Sequence, residues 1–428
     1  MDYSQTLKFL YSQLPMFQKV GGAALKYNLL NINRLMHYLG NPHKKIKTIH
    51  VAGTNGKGSS SHMLASVLQE AGYNTGLYTS PHLRSFTERI KINGQEIDEL
   101  AVVNFVAQIE ELLEEDLKPS FFEITLAMAM QYFVQQKVDI AIIEVGLGGR
   151  LDSTNIIQPE ICLITNISYD HQQFLGETLP EIAGEKAGII KKEIPVVISE
   201  YQPKIAQVFI DKAANEQAPI MFADKQLRLE QAAGGRINVI KGNEIIHEGL
   251  RLDLNGSYQN HNVLGVIAVL DKLNDSSVFS IGETSLHNGL ANVVSNTGLK
   301  GRWQIVHTKP LTITDTGHNI SGVKEIINEI KDLKFNKLHM VWGMVKDKDP
   351  MEILLVLPKF AQYYFVAANL PRARTAEKLL QEANEAGLNG KSYNSVMAGY
   401  KAALRQAADD DLIFIGGSTF VVAEIEDL

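Results

Sequence analysis

Apolar positions along this chain alternate between short β-branched runs and segments with a helical period. "KTIHVAG" (residues 47–53) reads as a strand. It gives way to a segment with Met63, Leu64, Val67 and Leu68 on one helical face, which Gly72 ends. "TGLYTS" is the next strand, followed by "VDIAIIEVG", "EICLITNIS" and "IPVVISE". Each is apolar enough to be buried on both sides, the pattern of a parallel sheet with helices packed on both faces. Residues 222–256 differ. "LRLEQ", "INVIKGN", "EIIHEG" and "LRLDLNG" predict four short antiparallel strands in a meander. A helix follows in "HNVLGVIAVLDKL". Beyond the polar stretches "NDSSVFS" and "SNTGLKGR", α/β alternation resumes with "LTITD", "KLHMVWG", "YYFVAANL" and "DLIFIGG". The expected fold is therefore α/β, with two domains. A mostly parallel domain with a small antiparallel meander spans 1–297, and a smaller Rossmann-like domain of about 130 residues spans 298–428.

Composition narrows the function. The chain has 428 residues, 45% apolar and 21% charged, with a net charge of −7. With no basic run, nucleic acid is excluded as the main partner, because binding a phosphate backbone needs a positive face. No apolar run reaches the roughly 20 residues of a membrane span. The N-terminus "MDYSQTLKFLYSQLP" lacks the charged-then-apolar design of a signal peptide. The single cysteine, Cys162, permits no intrachain disulfide and reads as an inert core thiol. A cytoplasmic, soluble monomer is expected.

The first chemistry-bearing stretch runs from Gly53 through Thr54, Asn55, Gly56, Lys57 and Gly58 to Ser59, between a strand and a helix. Glycines turn backbone N–H groups inward, the helix N-terminus adds partial positive charge, and Lys57 offers a mobile cation. Together they predict phosphate binding. Gly58 separates the lysine from Ser59, so the hydroxyl that ordinarily follows the lysine and binds Mg²⁺ is displaced. A metal must find other ligands. Glu144 ends a buried strand beside a glycine cluster, where doubly wound sheets place ligand-binding residues, and Ser80 and His171 follow other strand ends. Each has a plain alternative as a cap, surface or packing residue. Lys186 would lie near the proposed cations, where an ammonium is repelled. It either points outward or is converted to an anion, and the residues alone do not choose.

"LGNP…IHVAGTNGKGS", "TSPHL", "FTERIKINGQEI", "IEVGLGGRLDSTN", "DHQQFLGETLPEIAGEKAGII", "GRWQ" and "GHN" stand in order from about residue 30 to the C-terminus. Together they resemble the dihydrofolate synthase/folylpolyglutamate synthase family of the Mur ligase superfamily. The resemblance implies an ATP-dependent ligase that joins L-glutamate to dihydropteroate and to folates, through an acyl phosphate. It implies that Gly53 to Ser59 cradle ATP, that Ser80 and Glu144 bind one Mg²⁺ and His171 a second, and that Lys186 is a carbamate formed with CO₂ that helps hold the second metal or the transferring phosphoryl group. Lys57, Glu144, His171 and Lys186 would then form the catalytic set. Gln259, Asn262, Arg302 and Asp315 match nucleotide-contacting positions. His318 and Ser418 match glutamate-side positions, and Phe122 and Asp152 match dihydropteroate-contacting positions of bifunctional members.

This chain departs from the family where Tyr258 replaces a frequent histidine, and where "DTGHNI" replaces "DGAHNP". Plain roles also exist: Asp315 or Asn319 as a helix cap, Arg302 as a surface ion-pair partner, Phe122 as core. A folylpolyglutamate synthase without the dihydrofolate activity is the alternative within the family. A peptidoglycan Mur ligase would need a UDP-sugar domain before the phosphate loop, and only 52 residues precede Gly53. A P-loop switch or kinase would need Ser or Thr directly after Lys57. A catalytically dead binding module is disfavoured by the joint presence of Lys57, Ser80, Glu144, His171 and Lys186.

Overall fold

The apolar runs become strands of two large sheets. The computed structural model describes residues 1–14, 28–115, 117–346 and 349–428. These residues divide into two units, Met1–Asp253 with Gln259–Leu299, and Leu254–Tyr258 with Lys300–Leu428.

In the first unit, β1 (Lys47–Ala52), β2 (Thr75–Tyr78), β3 (Ile90–Ile92), β4 (Gln95–Glu96), β5 (Ile140–Glu144), β6 (Ile161–Ile164), β7 (Val196–Ile198) and β8 (Ile220–Phe222) form one sheet. Its order is β4-β3-β2-β5-β1-β6-β7-β8. From β2 to β8 all neighbours are parallel, while β2–β3 and β3–β4 are antiparallel. The antiparallel edge follows from "INGQ". Asn93 and Gly94 both take positive φ, 47° and 75°, as a tight two-residue hairpin requires. Separate cores cover the sheet, one around Phe86, Met130, Phe133 and Ile143, the other around Ile164, Ile182, Ile198 and Phe209. Cys162 is fully buried in the second, its Sγ 3.2 Å from the Ile189 carbonyl, and burial pushes the thiol up to about 12.

Helix α1 (Lys57–Glu70) differs from its expectation of one apolar face, being buried from Ser59 to Leu68 on every side. Ser59, His62 and Ser66 are matched by other helices of the unit, while the Ser60 and Ser61 hydroxyls have no hydrogen-bond partner among the described residues. The His62 ring meets Thr297 Oγ1 at 2.7 Å, and Ser66 Oγ donates to the Gly289 carbonyl at 2.6 Å. Hydrogen bonding makes a polar helix face tolerable in a core. A long helix, α4 (Gln259–Asp275), packs on the same helix and on β6. Between these two come α2 (Phe121–Gln135) and α3 (Leu179–Ala187). Ser120 and Thr178 start them with reciprocal capping boxes to Glu123 and Glu181.

The meander has three strands, not the four expected: β9 (Leu227–Ala232), β10 (Arg236–Lys241) and β11 (Glu244–Leu250), ordered β11-β10-β9. "LRLDLNG" supplies only the last residue of β11. The chain then leaves the sheet, with Asp253 N–H donating to the Leu290 carbonyl at 2.9 Å. His247 of β11 joins this sheet to helix α5 (Glu283–Ala291), its Nδ1 lying 2.8 Å from Glu283 Oε2. Its Nε2 is 3.7 Å from Asp271 of α4. Burial alone would lower the imidazole pKa, but hydrogen bonds and charge from Asp271 and Glu283 outweigh it and raise the pKa. A raised folded-state pKa means that this stabilisation is complete below the unfolded value of about 6.5 and lost as pH climbs through the higher folded value. Thermal melts between about pH 6 and about pH 9 are therefore expected to show a decline in Tm that His247→Gln flattens. An identical pH slope in the variant would remove this role.

The second unit carries β12 (Gln304–Thr308), β13 (Leu311–Thr314), β14 (Leu338–Trp342), β15 (Gln362–Phe365), β16 (Gly390–Ser392) and β17 (Leu412–Gly416), ordered β12-β13-β17-β14-β15-β16. Only β12–β13 is antiparallel. Trp342, Tyr363, Phe365 and Phe414 fill one core. Among the described residues, no helix is long and apolar enough to cross a membrane.

Candidate active site

The register of the first sheet aligns the expected residues along one edge. Val51 pairs with Glu144, Ala52 with Ile164, and Tyr78 with Ile143. Neighbouring strands β2, β5, β1 and β6 therefore deliver Ser80, Glu144, Gly53 and Thr165 at their carboxyl ends. Parallel α/β sheets bind ligands at that edge.

The phosphate loop is splinted by the segment after β6. Thr54 N–H donates to the Asn166 carbonyl at 2.7 Å, and Asn55 N–H to Asn166 Oδ1 at 3.1 Å. Thr165 Oγ1 donates to the Asn55 carbonyl at 2.6 Å, and Ser168 N–H to Thr54 Oγ1 at 3.1 Å. Gly53 has φ 141° and Gly56 φ 87°. A Cβ at Gly53 would sit 1.8 Å from Thr165 Oγ1, and one at Gly56 2.1 Å from Asn262 Oδ1. Neither position admits a side chain. Gly56 leads into α1, whose N-terminal N–H groups form an anion-binding end.

Gln259 and Asn262 stand against this loop. Gln259 Nε2 donates to Ser59 Oγ at 3.2 Å, and Asn262 Nδ2 donates to Gln259 Oε1 at 2.7 Å. Lys57 Nζ donates to the Gly53 and Thr54 carbonyls at 3.0 and 3.1 Å. Lys186, in the last turn of α3, is buried and points inward, with Nζ 2.9 Å from the same Gly53 carbonyl. Burial first, then the neighbouring Lys57 charge, lower its pKa to about 7, against an opposing pull from Asp170 and Asp152. The outward-pointing alternative for Lys186 is thereby removed.

Glu144 is 4% exposed, and its Oε2 accepts the Ser80 N–H at 3.0 Å. The buried strand-end carboxylate thus faces the "TSPHL" loop. His171 has a left-handed backbone (φ 53°) before a short helix, and its Nε2 lies 3.8 Å from Asp170 Oδ1. Among the described residues, no three His, Cys, Asp or Glu side chains converge as a metal cage. The donors at this edge are a hydroxyl, a carboxylate and an imidazole, a set dominated by oxygen that suits a hard divalent cation completed by ligand oxygens.

Phe122 and Asp152 come together. A Cβ on Gly146 would lie 2.6 Å from the Phe122 ring and 3.2 Å from Asp152 Oδ2, so bare backbone separates ring from carboxylate. Phe122 is partly buried and also packs on Tyr78, with ring centroids 5.8 Å apart. Asp152 is 8% exposed, and burial raises its pKa against hydrogen bonds from Thr154, Leu147 and Gly146.

In the second unit, Asp315 follows β13 and is not a helix cap. Asn319 caps α6 (Ile320–Asp332), its Oδ1 accepting the Gly322 N–H at 2.9 Å. Asp315 accepts Gly317 N–H at 2.7 Å, and Trp303 N–H and Tyr258 OH at 2.8 Å each. Burial and then the Asp315 charge raise the Tyr258 pKa well above its ordinary value. Arg302 donates to the Gly301 carbonyl at 3.1 Å and to Thr316 Oγ1. His318 Nδ1 donates to the Thr316 carbonyl at 3.0 Å. Ser418 caps the helix Thr419–Ala423 after β17, its Oγ accepting Phe420 N–H at 3.2 Å.

The sequence reading missed the splint of Thr165, Asn166 and Ser168, for which the only signal is the polar run closing "LITNIS". It also missed the bond from Tyr258 to Asp315, since nothing local to either residue announces a partner 57 positions away.

The Mur ligase middle domain model matches residues 51–270, and the Mur ligase, glutamate ligase domain model matches residues 301–419. A Bacillus subtilis protein named dihydrofolate synthase/folylpolyglutamate synthase is 35% identical over 413 residues, covering 94% of each chain. An Escherichia coli FolC structure in complex with DHPP and ADP superimposes with a TM-score of 0.87 at 31% identity, covering 99% of this chain and 96% of that one. A bifunctional folylpolyglutamate synthase/dihydrofolate synthase structure with Mn, AMPPNP and L-glutamate bound gives 0.85 at 29% identity, covering 99% and 97%. A phosphate loop splinted from β6, a buried carboxylate facing Ser80 and a low-pKa lysine on the loop carbonyl thus occur in a chain matched almost end to end. The protein belongs to the dihydrofolate synthase/folylpolyglutamate synthase family of Mur ligases, a family of ATP-dependent ligases.

Proposed function

We propose that this enzyme joins L-glutamate to 7,8-dihydropteroate and, in further rounds, to folates, at the expense of ATP. The observation that carries the reading is the single sheet edge where Ser80 and Glu144 flank the phosphate loop and Lys186 reaches its first carbonyl. The loop from Gly53 to Ser59 holds the ATP phosphates, with Gln259 and Asn262 behind it. Arg302 and Asp315 serve the nucleotide, and His318 and Ser418 serve glutamate. The domain of 1–297 carries the ATP and folate chemistry, and that of 298–428 the glutamate and nucleotide contacts.

A carboxylate is a poor acyl donor. Its oxygen attacks the γ-phosphorus, the bond to the β–γ bridging oxygen breaks, and ADP leaves. Lys57 and the loop N–H groups neutralise charge as it redistributes, which is most of what an enzyme contributes to phosphoryl transfer. The glutamate amine then attacks the acyl carbon of the mixed anhydride, loses a proton, and phosphate departs from the tetrahedral intermediate. Two Mg²⁺ ions, one held by Ser80 and Glu144 and one by His171, would supply Lewis-acid stabilisation of the phosphoryl oxygens. Lys186, with an amine that is neutral in part near pH 7, would take up CO₂ as a carbamate and release a proton, replacing a repelled cation by an anion beside the metals.

Phe122 and Asp152, brought together across Gly146, support the dihydropteroate activity over polyglutamylation alone. An aromatic face beside a buried carboxylate suits a flat heterocycle with adjacent N–H donors. The reading includes a cytoplasmic monomer. ADP release by the purified protein is expected to require L-glutamate together with either 7,8-dihydropteroate or tetrahydrofolate. A protein that accepts tetrahydrofolate and ignores dihydropteroate would be a folylpolyglutamate synthase only.

A further inference from the structure

His50 lies in β1, fully buried, and the reaction above gives it no task. Its Nε2 is 2.9 Å from Thr154 Oγ1, and that hydroxyl is 2.5 Å from Asp152 Oδ1. A carboxylate oxygen accepts and does not donate. The threonine proton therefore points at Asp152, and the hydroxyl lone pair takes a proton from His50 Nε2–H. Burial lowers the imidazole pKa to about 3, so the ring is neutral and carries one proton. With that proton on Nε2, Nδ1 is bare, and it has no hydrogen-bond partner among the described residues. With the proton on Nδ1 instead, the hydroxyl would turn to donate to His50, and Asp152 would lose a donor. The tautomer of one core histidine thus decides where a threonine proton points, two bonds away from the folate side of the site.

Asp152 is otherwise held by backbone. Its Oδ1 accepts Thr154 N–H at 3.0 Å and its Oδ2 accepts Leu147 N–H at 2.8 Å. We propose that Thr154 and His50 are positioning residues for Asp152, a buried relay that fixes the carboxylate plane so that it reads the adjacent N–H donors of a 2-aminopyrimidinone ring. Paired recognition of that kind is plane-dependent, so a rotated carboxylate loses one of its two bonds. The inference rests on the folate reading of Asp152. A histidine that merely fills space in the core would behave differently in the following test.

KM for 7,8-dihydropteroate and KM for ATP are measured on the full chain for Thr154→Val, Thr154→Ser, His50→Leu, His50→Gln and Asp152→Ala. Thr154→Val keeps the shape and removes the hydroxyl, and is expected to raise KM for dihydropteroate about tenfold with KM for ATP within about twofold. Thr154→Ser retains the hydroxyl and recovers most of the loss. His50→Leu is expected to raise the same KM about threefold, and His50→Gln, whose amide N–H donates as Nε2–H does, to recover it. A packing role would make the two His50 variants alike or move both KM values together, and either result overturns the relay. Should Thr154→Val leave KM for dihydropteroate unchanged while Asp152→Ala raises it, the relay fails and the folate reading stands. Should Asp152→Ala leave it unchanged, both fall.

Discussion

Glu144→Ala is expected to lower kcat by about a thousandfold or more, with the fold and nucleotide affinity largely kept. Glu144 ends β5 with its carboxylate buried and one oxygen bound to the Ser80 N–H. Burial of a carboxylate is expensive unless the charge is answered, and a divalent cation answers it. Alanine removes the acceptor of the Ser80 N–H and, on the proposed reading, the charge that would hold the cation. Glu144→Gln separates the two effects, because it keeps volume and an acceptor for Ser80 but not the charge. Turnover should fall nearly as far in the glutamine variant, and the loss should be measured over a Mg²⁺ titration in single-turnover ADP release. Near-normal turnover in either variant would refute the metal role.

Lys186→Ala is expected to cost about a hundredfold or more in kcat. The amine lies in the last turn of α3, 2.9 Å from the Gly53 carbonyl, and is lowered to about 7 by burial and by Lys57. A neutral amine is the form that attacks CO₂, so the environment that disfavours an ammonium favours its conversion to a carbamate. Added bicarbonate cannot restore the alanine variant, which has nothing to carboxylate. A short-chain carboxylic acid can occupy the space vacated beside Gly53 and is expected to restore activity in part. In the unsubstituted protein, NMR with isotope-labelled bicarbonate should reveal a carbamate signal that Lys186→Ala lacks. A lysine variant rescued by bicarbonate, or a signal that persists without Lys186, would remove the carbamate.

The strands were legible because β1, β5, β6 and β17 are buried on both faces, and continuous β-branched or apolar runs have few other fates. Less visible was β16, whose "GKS" has no apolar signature and belongs to the sheet only by pairing with β15. "LRLDLNG" alternates as a strand should, yet the pairing that would make it one is absent among the described residues, and Leu254–Tyr258 goes with the second unit. Alternation states what a strand would bury, not whether an edge is available to pair with. Helix α1 exposed the converse limit. Ser59 and His62 meet partners on helices 200 or more positions away, which no local pattern announces.

At the site, legibility followed chemistry that the chain writes locally. The phosphate loop announces itself by glycine spacing, and Ser80 and Glu144 by their place at strand ends, which the register of β1, β2 and β5 makes adjacent. The polar splint from Thr165 to Ser168 leaves only the polar run closing "LITNIS" as a local mark, and the Tyr258–Asp315 bond, which depends on tertiary contact, leaves none. Tyr258 supplies a hydrogen-bond donor to the carboxylate expected at the ribose. Lys186 needed both sources, since motif order suggested the carbamate and only burial beside Lys57 explains why the amine would accept it.

Oxygen tracing reveals whether ATP activates a folate carboxylate as an acyl phosphate. Dihydropteroate labelled with heavy oxygen in its carboxylate is turned over with ATP and L-glutamate, and the released phosphate is analysed by mass. An acyl phosphate leaves one heavy oxygen in each phosphate formed. Unlabelled phosphate, with the heavy oxygen displaced on amide formation recovered in water or ADP instead, would contradict it.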